Sequence, residues 1–162
     1  MAAWWFGAGE DPVRLEHLCD VDMKYVGETV DMNPYGGAGG EWFGQLEGVL
    51  RGPKLNGHLH WANHARQRED GVWGPDAHGY VTTKDGAKIF MTMRGYNVRR
   101  AEPPALGSIV ATCTFGTSDE RYRWLNEVIA VAEGTRDAQA NETRLRVFAC
   151  INEMTPGIPR IG

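Results

Sequence analysis

PDAHGYVTTKDGAKIFMTMRGY, residues 75–96, decides the fold, because the turn at its centre sets a strand register. Thr83-Lys84-Asp85-Gly86-Ala87 has the composition of a three-residue hairpin loop: a type I turn, then glycine in the left-handed conformation. That loop pairs Thr83 with Ala87. The pairs beyond it are Thr82–Lys88, Tyr80–Phe90, His78–Thr92 and Asp76–Arg94, each about 4.5–5.5 Å apart at Cβ. One face of the hairpin then carries Asp76, His78, Tyr80, Phe90, Thr92 and Arg94, and the other carries Val81, Ile89, Met91 and Met93. A two-residue loop would shift the pairing and part Asp76 from Arg94.

Outward from the hairpin, Pro, Gly, Asn and Asp punctuate the chain roughly every eight to twelve residues, a rhythm that suits an all-β sandwich or barrel. Strands are predicted at 13–26, 41–50, 57–64, 76–83, 87–96, 108–116 and 143–151. Residues 31–40 form a Gly-rich loop without the lysine or the strand-loop-helix setting of a phosphate loop. RQREDGVWGP is a loop, and 97–107 is Pro-rich and irregular. One helix is predicted near 119–130, capped by Ser118 or Asp119, with Glu120 in its first turn. Tyr122, Trp124 and Leu125 on it are expected to plug the barrel or pack on it. The organisation expected is a single β-barrel domain over 1–162, with 1–12 and 153–162 as peripheral ends. Trp4, Trp5 and Phe6 would pack on a partner subunit or across a barrel end.

The chain has 162 residues, 42% hydrophobic and 23% charged, enough for one domain with a real core. Its net charge of −4 argues against nucleic acid as a partner, since phosphate binding needs a basic face. Arg66, Arg68, Arg99 and Arg100 cluster, but acidic residues surround them in sequence. No apolar run approaches the roughly 18 residues of a membrane span, and MAAWWFG lacks the pattern of a signal peptide. A cytoplasmic protein without a membrane partner is expected. Cys19, Cys113 and Cys150 lie in apolar, strand-like stretches and are expected to be free thiols rather than a disulfide framework or zinc site.

The same parity in 57–64 groups His58, His60 and His64 on one face and Leu59, Trp61 and Asn63 on the other. A stripe facing water usually holds Lys, Glu, Thr and Ser. These stripes hold His, Asp, Tyr, Phe and Arg, which suits a barrel interior binding a mostly apolar ligand. On that basis Asp76, His78 and His60 are candidate proton donors and acceptors, and Arg94 a clamp for an oxyanion or carbonyl. Trp61, Tyr80, Phe90, Trp73, His58 and His64 would contact substrate. The roles of Asp76, His78, Arg94 and the three histidines of 57–64 require the polar stripe to be the inner one. No dinucleotide fingerprint, nucleophile elbow or kinase set is present. The function expected is therefore a cofactor-independent lyase or isomerase: isomerisation, cyclisation, hydration or elimination on a small hydrophobic or aromatic, carbonyl-bearing substrate. Two alternatives stand. Gly52, His58, His60, His64 and Gly71 follow the spacing of the first cupin motif, which would make His58, His60 and His64 ligands of a divalent transition metal, although the second motif is absent. A non-catalytic barrel for hydrophobic ligands is the other.

PDAHGYVTTKDGAKIFMTMRGY, FGTSDERYRWLNEVIAVAEG and RLRVFACINE, with GQLEGVLRGPKLNG upstream, together resemble the bacterial and fungal family called domain of unknown function 3237. The resemblance covers roughly residues 13–152. It implies a β-barrel, calycin/lipocalin-like or allene-oxide-cyclase-like, that often forms a homodimer. It also carries over Asp76, Arg94, Trp61 and Asn126 as matching motif positions, Asn126 thereby joining the substrate-contact candidates. It implies no activity. Where many members have a Gly-Gly-Ala-Asp-Trp-like stretch, this chain has His58-Leu-His60-Trp61-Ala-Asn63-His64, and it carries the insertion-like REDGVWGPD.

Overall fold

A nine-stranded antiparallel sheet closes on itself by pairing each long strand with the next in sequence and the last with the first. The strands are β1 (Val13–Met32), β2 (Gly40–Arg51), β3 (Gly57–Gln67), β4 (Trp73–Gly74), β5 (Asp76–Thr83), β6 (Lys88–Arg99), β7 (Leu106–Gly116), β8 (Ile129–Asp137) and β9 (Glu142–Asn152). The two-residue β4 bridges β3 and β6 at one rim. Every long strand has two partners, so among the described residues the sheet closes without an edge strand. The computed structural model describes residues 13–33, 39–100 and 106–153. The ends 1–12, with Trp4, Trp5 and Phe6, and 154–162 lie outside the described residues, as do the middle of the Gly-rich loop and 101–105.

The hairpin register is the one the turn dictates. Thr83 N–H donates to Ala87 O (3.0 Å), Gly86 N–H to Thr83 O (3.0 Å), and Gly86 has φ +88°, the left-handed conformation that glycine adopts without a Cβ penalty. Thr82 faces Lys88, Tyr80 faces Phe90, His78 faces Thr92 and Asp76 faces Arg94. The inner face, however, is the aliphatic one. Val81, Ile89 and Met91 are fully buried and Met93 nearly so, while Phe90 is 68% exposed. Aliphatic burial decides the side: taking such side chains out of water is worth about 1.5–3 kcal/mol each, whereas the polar stripe keeps its hydration outside.

Several boundaries differ from expectation: β1 runs on to Met32, β3 to Gln67, and the two-residue β4 lies within the expected loop RQREDGVWGP. Residues 97–99 continue β6 and 106–107 begin β7. The helix is a 3-10 helix over Glu120–Glu127, capped by the Asp119 side chain, which accepts from Arg121 N–H. A strand not expected, β8, starts where the α-helix was expected to end. Ile129, Ala130, Val131, Ala132 and Glu133 alternate out and in, with the small alanines filling the narrow inner side.

Large side chains fill the end of the barrel nearest the β5–β6 turn: Leu18, Leu50, Leu55, Leu59, Ile89 and Val147 are all buried. The 3-10 helix plugs this end. Leu125 is fully buried, and Tyr122 and Trp124 pack against the core, as the sequence suggested. The plug is latched to the hairpin turn, because the Tyr122 hydroxyl and the Arg121 guanidinium both donate to the Asp85 carboxylate (3.1 and 2.9 Å). At the opposite end the interior opens into a cavity.

Candidate functional site

The expected catalytic cluster forms, but on the outside. Arg94 Nε donates to Asp76 Oδ1 at 2.8 Å, and His78 Nε2 meets the same oxygen. Their side chains are well exposed, Arg94 by 65% and Asp76 by 41%. The Arg94 hydrogen bond, helped by His78, holds the Asp76 carboxyl below its usual range, which makes it a weaker base. His58, His60 and His64 lie on the same outer surface as Tyr80 and Phe90. The His60 and Tyr80 rings stack with centroids 5.2 Å apart, His60 Nδ1 lies 3.8 Å from Glu47, and His64 Nε2 lies 3.1 Å from Glu41. Among the described residues no three His, Cys, Asp or Glu side chains converge as metal ligands. Asn126 is occupied structurally, accepting from Thr117 N–H (2.8 Å) and donating to Thr117 O (2.9 Å) beside the plug. Of the expected contacts, Trp61 and Trp73 do line the interior cavity.

That cavity has a volume of about 310 Å³, at the small end of the range for ligand pockets, about 300–1,000 Å³. Its walls combine the aromatic Tyr25, Trp42, Trp61 and Trp73 with aliphatic Leu46 and Met93. Two glycines make room for the aromatic rings. A Cβ on Gly79, the cross-strand partner of Trp61, would stand 2.7 Å from the indole Cδ1, and one on Gly44 would stand 2.7 Å from Tyr25 Cδ1. Trp61 is then pinned by donating from Nε1 to Met91 O (2.9 Å).

Three polar side chains converge here: Tyr25 from β1, Asn63 from β3 and Arg136 from β8. Asn63 Oδ1 accepts from the Asp76 backbone N–H (3.0 Å), and a backbone N–H can only donate. This fixes the amide orientation, so Asn63 Nδ2 donates to the Tyr25 oxygen (2.6 Å). The phenol therefore accepts from Asn63 and keeps its own hydrogen for another partner. Trp42 stands edge-on to Tyr25 with centroids 5.9 Å apart. Its buried Nε1 favours an ionised phenol but lies outside hydrogen-bonding geometry with any acceptor. The Arg136 guanidinium lies 5.0 Å from the Tyr25 ring centroid. Burial pushes the Tyr25 phenol above its usual value, while Asn63, Arg136 and Trp42 pull it back. It is protonated at neutral pH, with only donors and a cation ready for its conjugate base.

Backbone geometry aims this group. β1 changes register with β2 between Val26 and Thr29, around Gly27 at φ +68°. Asn141, left-handed at φ 54° in the β8–β9 turn, clamps the strand just before that irregularity. It accepts from Tyr25 N–H (3.2 Å) and donates to Tyr25 O (3.0 Å), and its Oδ1 also receives Arg136 Nη2 (3.3 Å). One amide thus positions both the phenol and the cation. Sequence reasoning missed Tyr25, Trp42 and Arg136, and it set Asn63 on the apolar face without asking why. A lone amide among Leu59, Trp61 and Ala65, with only 6% of its surface exposed, was the available signal.

The fold recurs in solved structures. A beta-barrel like protein from Acinetobacter baumannii AYE superposes with a TM-score of 0.78 at 21% identity, covering 89% of this chain and 99% of that one. An enzyme from Penicillium herquei superposes with a TM-score of 0.66 at 26% identity, covering 90% and 100%. In sequence, the hydroalkoxylation enzyme phnH of Penicillium herquei is 33% identical over 84 residues, 51% of this chain. That match spans 49% of phnH, about half its length. A family model also matches residues 12–150, and the chain belongs to the family described as Protein of unknown function (DUF3237).

Proposed function

We propose that the protein is a small-molecule enzyme of lyase or isomerase type that works without an organic cofactor, with Tyr25 as its proton-transfer group. The observation that carries this reading is the convergence of a protonated phenol, whose hydrogen is free, with donors and a guanidinium on an apolar cavity. The kinship with phnH, a hydroalkoxylation enzyme, and the shared fold of an enzyme from Penicillium herquei support chemistry of this kind.

In such a reaction the Tyr25 hydroxyl gives its proton to one carbon of a substrate C=C bond. The phenolate left behind is stabilised by the Asn63 N–H and by Arg136, donors already in place before the charge appears. A hydroxyl of the same substrate forms a C–O bond to the other carbon and returns its proton to Tyr25. Run backwards, the sequence is an elimination. The aromatic walls exclude water and hold the substrate flat. Proton transfer from a positioned side chain typically contributes about 10²–10⁴-fold.

The test is turnover in D₂O with a panel of aryl alkenes bearing a nearby hydroxyl. The expected product is an isomer of the substrate with one deuterium on carbon in place of the hydroxyl hydrogen, one mass unit heavier. Ligands that bind in the cavity and return unchanged and undeuterated across the panel would make the protein a carrier instead.

A further inference from the structure

The charge balance of the cavity narrows its ligand. On the outside of the barrel most arginines are neutralised, as Arg51 holds Asp22, Arg94 holds Asp76, Arg121 holds Asp119 and Asp85, and Arg146 holds Glu133. Arg99, at the cavity rim, is unpaired among the described residues but exposed to water. Arg136, half-buried against the cavity, forms no ion pair among the described residues. Its guanidinium hydrogen bonds go to neutral acceptors, the Asp137 carbonyl (3.0 Å) and Asn141 Oδ1 (3.3 Å). The nearest acidic neighbour in sequence, Asp137, has its Oδ1 taken by the N–H groups of Gln139 and Ala140 (2.9 and 2.9 Å) in the β8–β9 turn. Asp31 sits at the exposed rim and does not pair with Arg136.

A guanidinium does not lose its charge in proteins, so the cation is kept at the cost of partial desolvation. Its planar fork carries several N–H donors, and the two contacts above leave others unused. Around it stand Tyr25 and Trp42 and, across the cavity, Trp61 and Trp73. A fixed cation without a carboxylate partner, set among ring-stacking walls in a small space, is complementary to a flat anion. It is poorly suited to a neutral hydrocarbon, which would leave the cation desolvated and unpaired.

We infer that the substrate is a planar aromatic anion, one or two rings bearing a carboxylate or an ionised phenol, anchored by Arg136. This rests on the proposal that the cavity is the working site and names the substrate class for it.

The probes are 2-naphthoate and its methyl ester, titrated against tryptophan fluorescence and by calorimetry. Wild-type protein should bind the carboxylate at least about tenfold tighter than the ester. Arg136→Gln should erase that preference while leaving the ester affinity within about twofold, and Arg136→Lys should keep part of it. Arg123→Gln, on the exposed face of the 3-10 plug and outside the cavity lining, should leave the preference intact. Equal binding of acid and ester by wild-type protein, or a preference that survives Arg136→Gln, overturns the anion assignment and leaves the cavity as a ligand site. If neither compound binds, the cavity reading and the anion assignment fall together. Should Arg136→Gln fail to fold, the wild-type comparison and Arg136→Lys decide.

Discussion

Replacing Tyr25 with phenylalanine removes one oxygen from the cavity wall and little else, since the ring keeps its place over Gly44 and beside Arg136. The consequence falls on Asn63. Its Nδ2 loses its acceptor, and it cannot turn to find another because Oδ1 is held by the Asp76 N–H. A buried donor left unsatisfied costs about 1–3 kcal/mol. In a domain of 162 residues each kcal/mol moves Tm by about 2–4 °C, so Tyr25→Phe should melt roughly 2–12 °C lower. Asn63→Leu removes the same bond from the other side, and the double variant loses it only once. Urea denaturation of the four proteins at neutral pH should therefore show a coupling of about 0.5–1.5 kcal/mol. An alkaline titration gives a second readout. Burial raises the folded Tyr25 value above the unfolded one of about 10. Its contribution to stability is thus full below about pH 10 and lost as pH rises through the folded value. Tyr25→Phe should flatten that decline, while Tyr122, also pushed up, keeps titrating late in both proteins. Strictly additive losses, with an unchanged alkaline limb, would refute the Asn63–Tyr25 hydrogen bond on which the proton-donor role rests.

The outer cluster should behave as surface. Asp76→Asn or Arg94→Gln should cost under about 1 kcal/mol and leave turnover within twofold, and a hundredfold loss of kcat from either would return the chemistry to the outer face. The thiols should divide by burial. Cys19 and Cys113 are pushed up to about 12 by desolvation and stay protonated at neutral pH. Ellman's reagent should accordingly titrate at most the half-buried Cys150 in native protein and all three cysteines after unfolding. Fast labelling of all three in the native state would contradict a closed, packed end.

The barrel and its central register were legible because a turn is a local object: Thr83 to Ala87 fix their own hydrogen bonds, and the pairs out to Asp76–Arg94 follow by counting. The side of the sheet is not local. Period-two alternation sorts His78 from Val81 without saying which is inside, and unusual polar chemistry was weighed above the aliphatic stripe Val81, Ile89, Met91 and Met93. Burial energy favoured that stripe. β8 was hidden by its small residues, since Ala130 and Ala132 read as helix formers until the narrow inner face they fill is known. Arg136 followed β8 into obscurity. A charged residue near a turn looks solvated unless the strand's parity turns it inward.

The cavity itself follows from residue size along the barrel axis. At the plugged end the inward positions carry Leu50, Leu59 and Ile89, whereas at the open end β3, β5 and β7 turn Ala65, Ala77 and Gly107 inward. A barrel of fixed strand number cannot shrink to follow them, so a space of about 310 Å³ remains. Were it closed, dry and apolar, a void of that size would cost on the order of 7 kcal/mol at about 24 cal/mol per Å³. That is comparable to the whole stability of many domains. An opening to solvent and the polar trio of Tyr25, Asn63 and Arg136 lower that cost by letting water in. A flat ligand that displaces this water while meeting the guanidinium and the phenol recovers packing the empty barrel gives up. The small residues that weaken one end of the core are therefore the same ones that make room for binding there, and the Leu125 plug at the other end supplies the stability that lets them stay small.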